Sequence, residues 1–114
     1  MTNRNPEPRF DGPTVRINVG GRLLPVESAV FPEDFPRRLR RLKEASGLTW
    51  SAFARVIGVD LKQLRRWLKK GVEPSGGPLM ALLRFAALIH NGGEILLGKG
   101  YRLTFCWVDE EEEG

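Results

Sequence analysis

The stretch that most constrains this chain is Thr49 to Lys70, TWSAFARVIGVDLKQLRRWLKK, whose spacing predicts two short helices joined by a tight turn. Thr49 is a good N-cap, because its hydroxyl accepts a bond from a free backbone N–H two or three residues on. Trp50 to Ile57 then sets Phe53, Val56 and Ile57 on one side at helical spacing, with small Ala54 among them. Gly58 best tolerates the left-handed conformation that ends a helix. Val59 is an apolar plug in the turn, and Asp60 caps a second helix with Leu61, Leu64, Trp67 and Leu68 on one side. Lys62, Gln63, Arg65, Arg66, Lys69 and Lys70 occupy the remainder. Ala54 permits a close crossing, Gly58 makes the corner and Leu64 locks the angle, which is the pattern of a helix-turn-helix.

Size and charge set the frame around that motif. At 114 residues there is room for one domain with a modest core. A single cysteine, Cys106, excludes an intrachain disulfide and suits a reducing cytoplasm. Residues 1–12 are polar and proline-containing, without the look of a signal peptide, and no apolar run approaches the roughly 20 residues of a membrane span. A cytoplasmic protein with no membrane partner is expected. The formal charge of +4 understates the polarity of the molecule. Residues 35–90 hold twelve Lys or Arg against three acids (Glu44, Asp60 and Glu73), while Asp109 to Glu113 are five consecutive acids. A basic helical segment with an acidic tail points to a polyanion partner.

In chain order, residues 1–12 read as a disordered arm and 13–108 as one domain. Within 13–34, Val15, Ile17 and Val19 alternate with Arg16 and Asn18, and Gly20-Gly21 supplies the positive φ angles of a two-residue hairpin turn. Folding about that turn pairs Val15 with Val26, Ile17 with Leu24 and Val19 with Arg22, and Pro25 implies an edge strand. Residues 35–90 form the helical part. A helix over Pro36 to Ser46 carries Leu39 and Leu42, ended by Gly47, and Pro78 opens a helix over Leu79 to His90, apolar almost all round except Arg84. A helix of that kind is either central to the core or half of a dimer interface. Residues 91–108 are assigned to a C-terminal strand in which Tyr101, Leu103, Phe105 and Trp107 alternate with Arg102, Thr104 and Cys106, pairing with the hairpin in a small antiparallel sheet. Residues 109–114 are an acidic tail.

Leu39 to Ile89 resembles the Cro/repressor-like (XRE-type) helix-turn-helix family, on LRRLKEASGL, TWSAFARVIGVDLKQLRRW and EPSGGPLMALLRFAALI, rather less than half the chain. The resemblance implies an α+β protein: a mainly helical lambda-repressor-like bundle with the added antiparallel sheet of hairpin and C-terminal strand. It also implies sequence-specific binding of double-stranded DNA, usually as a dimer, in bacterial and phage regulators and antitoxins. Trp50 stands where the family often has glutamine, Asp60 replaces a common serine, and WLKKG runs one residue longer than the usual ending.

Side-chain chemistry leads to the same function. A helix of major-groove width presents residues near its N-terminus to base edges, and Arg and Gln make bidentate pairs with guanine and adenine. Lys62, Gln63 and Arg66 are therefore the expected base-reading residues. Thr49, Ser51, Arg65, Lys69 and Lys70, with Arg41 and Lys43 of the preceding helix, suit phosphate contact. Arg16, Arg22, Lys99 and Arg102 would make the hairpin a wing on the DNA; otherwise its free edge pairs with a second copy, or the sheet is a lid over apolar helix surface. The alternative function is a protein-interaction module, an antitoxin or adaptor on the same scaffold; RNA binding is a third. Gly93 to Lys99 matches GxxxxGK, but Gly100 stands where a P-loop needs Ser or Thr, and helix precedes strand. One His and one Cys do not make an ordinary zinc site, and no nucleophile–base pair is evident, so neither a cofactor nor an enzymatic activity is expected.

Overall fold

The computed structural model describes residues 14–106; the arm expected over 1–12 and the acidic tail over 109–114 lie outside the described residues. The architecture is α+β, five helices beside a three-stranded antiparallel sheet. Strand β1 (Thr14–Val19) turns through Gly20 and Gly21, both at positive φ (+60° and +80°), into β2 (Arg22–Pro25). Ile17 faces Leu24 and Val19 faces Arg22, the register that the alternation implies. Strand β3 (Tyr101–Cys106) pairs with the other side of β1, Thr14 opposite Cys106 and Val19 opposite Tyr101, so β1 is central and Pro25 lies on an edge strand. The expected Val15–Val26 pair does not form. Val26 instead enters a 3₁₀ turn, Val26–Ser28, and is buried there, and the ladder ends one pair earlier at Arg16–Pro25.

Helix α1 (Phe35–Ser46) carries Pro36 in its first turn and ends on Gly47 at φ +75°, burying Phe35, Leu39 and Leu42. Next come α2 (Trp50–Ile57), α3 (Leu61–Lys69), α4 (Gly76–Ala87) and α5 (Gly92–Leu97). The sheet's inner face packs on α4 and α5, whereas α3 packs on α1 and α2. One core runs through both layers, from Val15 and Ile17 through Leu39, Phe53 and Leu64 to Leu82, Leu83 and Leu96. Trp67 is fully buried in it, and its indole N–H has no hydrogen-bond partner among the described residues.

The C-terminal third differs from the pattern expected of it. Helix α4 begins two residues before Pro78 and stops at Ala87, short of His90; Leu88 and Ile89 donate to Phe85 and Ala86 carbonyls, and Asn91 takes a left-handed conformation at φ +60°. Residues 92–97, assigned above to a strand segment, form α5 instead. Six residues are too short to display a helical period, and two leading glycines each cost about 1 kcal/mol relative to alanine in a helix. Tertiary contacts supply what propensity lacks. Leu96 and Leu97 are buried, Arg38 of α1 donates to the carbonyls of Glu94 and Ile95 (both 3.3 Å), and Glu94 Oε2 accepts from Gly100 N (3.1 Å). No helix among the described residues is long and apolar enough to cross a membrane.

Candidate nucleic-acid interface

The surface with the clearest chemical character is built by α2, its turn and α3. The Thr49 hydroxyl accepts from Ala52 N (3.1 Å) and starts α2. Gly58, at φ +85°, ends it by donating to the Ala54 carbonyl (2.8 Å), and Val59 N donates to the same oxygen (3.0 Å). Asp60 Oδ1 then accepts from Gln63 N (2.8 Å) and starts α3. Caps of this type each contribute about 1 kcal/mol, so both helices begin where side-chain oxygens satisfy otherwise orphaned amides. Three residues separate the two helices, and Ala54 and Leu64, the residues expected to set their crossing, are both buried.

On α3 the buried side is Leu64 and Trp67. Lys62, Arg65, Arg66 and Lys69, spaced i, i+3, i+4 and i+7, all project to solvent on the opposite side, and Lys70 continues the set at the C-cap. The five cations border an open depression of about 380 Å³. Among the described residues none of them has a carboxylate within 4.0 Å; the ion pairs present are Arg37–Asp34, Arg38–Asp34 and Lys43–Glu44. Like charges packed well within a Debye length of about 8–10 Å repel one another. The helix C-terminus offsets part of that cost for Arg66 and Lys69, and a polyanion would offset the rest.

The expected site residues separate into groups. Lys62 and Arg66 share the exposed stripe, and Arg65, assigned to phosphate contact, shares it too. Gln63 is half-buried on the flank of the stripe. Leu61, expected within the apolar side of α3, is 41% exposed next to Lys62, at the first position of the helix. Thr49 and Ser51 are exposed at the start of α2, and Arg41 is exposed on α1. Lys43 is half-buried, its Nζ lying 5.4 Å from the centroid of the Trp50 ring, so its charge also ties α1 to α2. Arg16, Arg22, Lys99 and Arg102 are all exposed around the sheet. Arg16 and Arg102 share its outer face, Arg22 lies beyond the hairpin turn opposite Val19, and Lys99 precedes β3. The sheet carrying them covers α4 and α5, as the lid alternative has it, and does not pack on α3.

One feature of the surface has no counterpart in the sequence-derived site. Val56, expected in the buried stripe of α2, is 56% exposed, and Leu88, expected within a core helix, is 72% exposed. Both line an apolar groove of about 580 Å³ between α2, α4 and β3. The all-round apolarity of Leu79 to Ile89 was its only signal. No family model, curated protein or solved structure matches this chain.

Proposed function

We propose that this chain is a sequence-specific double-stranded DNA-binding protein, a transcriptional regulator of the XRE helix-turn-helix type acting at the nucleoid, with α3 as its major-groove helix. The observation that carries this reading is the uncompensated stripe Lys62, Arg65, Arg66 and Lys69 on the solvent side of the second helix of a capped two-helix corner. In it, Arg66 and Lys62 read base edges, Leu61 meets a thymine methyl, and Arg65, Lys69, Lys70 and the start of α2 hold phosphates. Gln63 approaches an adenine from the flank.

The test is selection from a random duplex pool at two salt concentrations. A defined motif is expected, and Arg66→Ala should relax one of its base positions. Three phosphate contacts from Arg65, Lys69 and Lys70 imply a slope of log K against log salt of about −2.7, and Arg65→Ala should reduce its magnitude by about 1. A motif-free, salt-sensitive affinity equal for duplex DNA and RNA would overturn sequence-specific recognition and leave an electrostatic surface. The protein-interaction alternative draws its support from the apolar groove, and binding to a protein that survives high salt would favour it.

A further inference from the structure

The outer face of the sheet is a second surface whose positive charge the fold leaves uncompensated. Val15 and Ile17 point into the core, so Arg16 and Asn18 point outward, Arg16 opposite Thr104 of β3 and Asn18 opposite Arg102. None of the three strands contains an Asp or Glu. Both arginines are exposed, and among the described residues neither has a carboxylate within 4.0 Å. They are diagonal neighbours on adjacent strands, about 7–8 Å apart where their side chains begin, so the two guanidiniums can engage neighbouring charges of one polyanion. Arg22 and Lys99 add two exposed cations at the end of the sheet where the hairpin turns.

The chemistry of the face selects the form of the polyanion. Arg, Asn and Thr are side chains that hold nucleic-acid phosphates. Tyr101 and Phe105, the aromatic residues of β3, stand opposite Val19 and Val15 and so belong to the inner face; the described strands offer no outward ring on which the bases of a single strand could stack. Three strands side by side are also broader than the two-stranded ribbon that a major groove admits, so the face suits a duplex backbone and not base edges. Its place in the fold separates it from the basic stripe. Helix α3 packs on α1 and α2, the sheet packs on α4 and α5, and no element packs on both. Two helices, α1 with α5 or α2 with α4, therefore lie on each packed route between them. We propose that the outer face of the sheet is a second, sequence-independent seat for duplex phosphates, so that one molecule joins two duplex segments. The joining rests on the DNA-binding reading of α3; the sheet's own affinity does not.

Capture of one duplex by another tests it. A short duplex is fixed to beads, a second of unrelated sequence carries a fluorophore, and the full-length protein is added at low salt. Retention of the labelled duplex is expected. Arg16→Gln with Arg102→Gln should lower that retention about tenfold more than it lowers affinity for a single duplex, read by fluorescence anisotropy. Both side chains are exposed, so circular dichroism should show the fold unchanged. In a protein already carrying Arg65→Ala, Arg66→Ala and Lys69→Ala, the remaining low-salt affinity belongs to the sheet, and adding the two glutamines should lower it about tenfold again. The two steps fail separately: α3 substitutions without effect refute the α3 reading, and no further fall on adding the glutamines overturns the sheet site. Retention that survives the glutamine pair would also overturn the proposal, since two associated copies would then be holding the two duplexes. An equal fall in retention and in single-duplex affinity would count against it as well, placing both faces on one duplex. Binding to vesicles of anionic phospholipid without retention of the second duplex would overturn it in favour of a membrane surface.

Discussion

Gly92→Ala is the substitution whose effect the structure determines most sharply. A Cβ at position 92 would lie 1.9 Å from the carbonyl oxygen of Ala86, 2.8 Å from its carbonyl carbon and 3.2 Å from its Cα. All three are backbone atoms of a fully buried residue near the end of α4, so no side-chain rotation relieves the overlap. Relief requires α5 to move away from α4 by more than an ångström, and α5 also holds α1 and β3. Helix propensity alone would favour alanine by about 1 kcal/mol, so the sign of the effect depends on the overlap. Overpacking of this kind costs about 3 kcal/mol or more, which lowers Tm by at least about 12 °C in a domain of this size. Gly77→Ala is the internal control. It lies in the first turn of α4 without a positive φ, and its Cβ would meet no atom within 4 Å. It should raise stability by about 0.5–1 kcal/mol, since alanine loses less backbone entropy on folding. Thermal and urea unfolding followed by far-UV circular dichroism measure both. A Gly92→Ala protein melting within about 2 °C of the parent would refute the claim that close backbone approach fixes the α4–α5 corner.

Leu64 and Leu61 lie three residues apart on α3 and should respond in opposite ways. Leu64 is 1% exposed, so Leu64→Ala should cost about 2–5 kcal/mol, whereas Leu61→Ala should stay within about 0.5 kcal/mol in stability and, on the DNA-binding reading, weaken duplex affinity. Equal destabilisation by the two would mean that Leu61 is a core residue. Asp34 gives a pH prediction. The Arg38 side chain (Nε to Oδ1, 2.7 Å), helped by Arg37 (3.2 Å), holds its carboxyl below the ordinary 3.8. A depressed folded-state value means that the ion pairs stabilise the fold above that pH and lose their contribution as pH falls through the lowered value. Arg38→Gln should bring the Asp34 midpoint, followed by carbon-detected titration, back towards 3.8. A parent midpoint at or above 3.8 would contradict the assigned cause.

Much of the fold is legible along the chain because its signals are local. Two glycines with positive φ close the hairpin, Gly47 and Gly58 end helices, and Thr49 and Asp60 begin them; each acts through backbone atoms no more than a few residues away. The pairing of β3 with β1 is a longer-range relation, yet alternation restricts it, since a one-residue slip would turn Val15 and Ile17 outward. The basic stripe of α3 is likewise a matter of residue type and a period of 3.6.

Other features depended on the assembled structure. Helix α5 is held by tertiary contacts, the burial of Leu96 and Leu97 and the Arg38 guanidinium reaching its carbonyls from 56 residues away, while the carbonyls of Ala86 and Tyr101 leave room only for glycine at 92 and 93. Val56 and Leu61 satisfy the apolar pattern of their helices as well as Phe53 and Leu64 do, yet both are exposed. Arg38 and Lys43 look like free cations, and both are occupied by contacts within the fold. Sequence periodicity therefore determined which side of each helix is apolar. Only the crossing of α2, α4 and β3 decided how much of that side is covered, since a neighbour's reach depends on helix ends and crossing angles and not on the residue's own hydrophobicity.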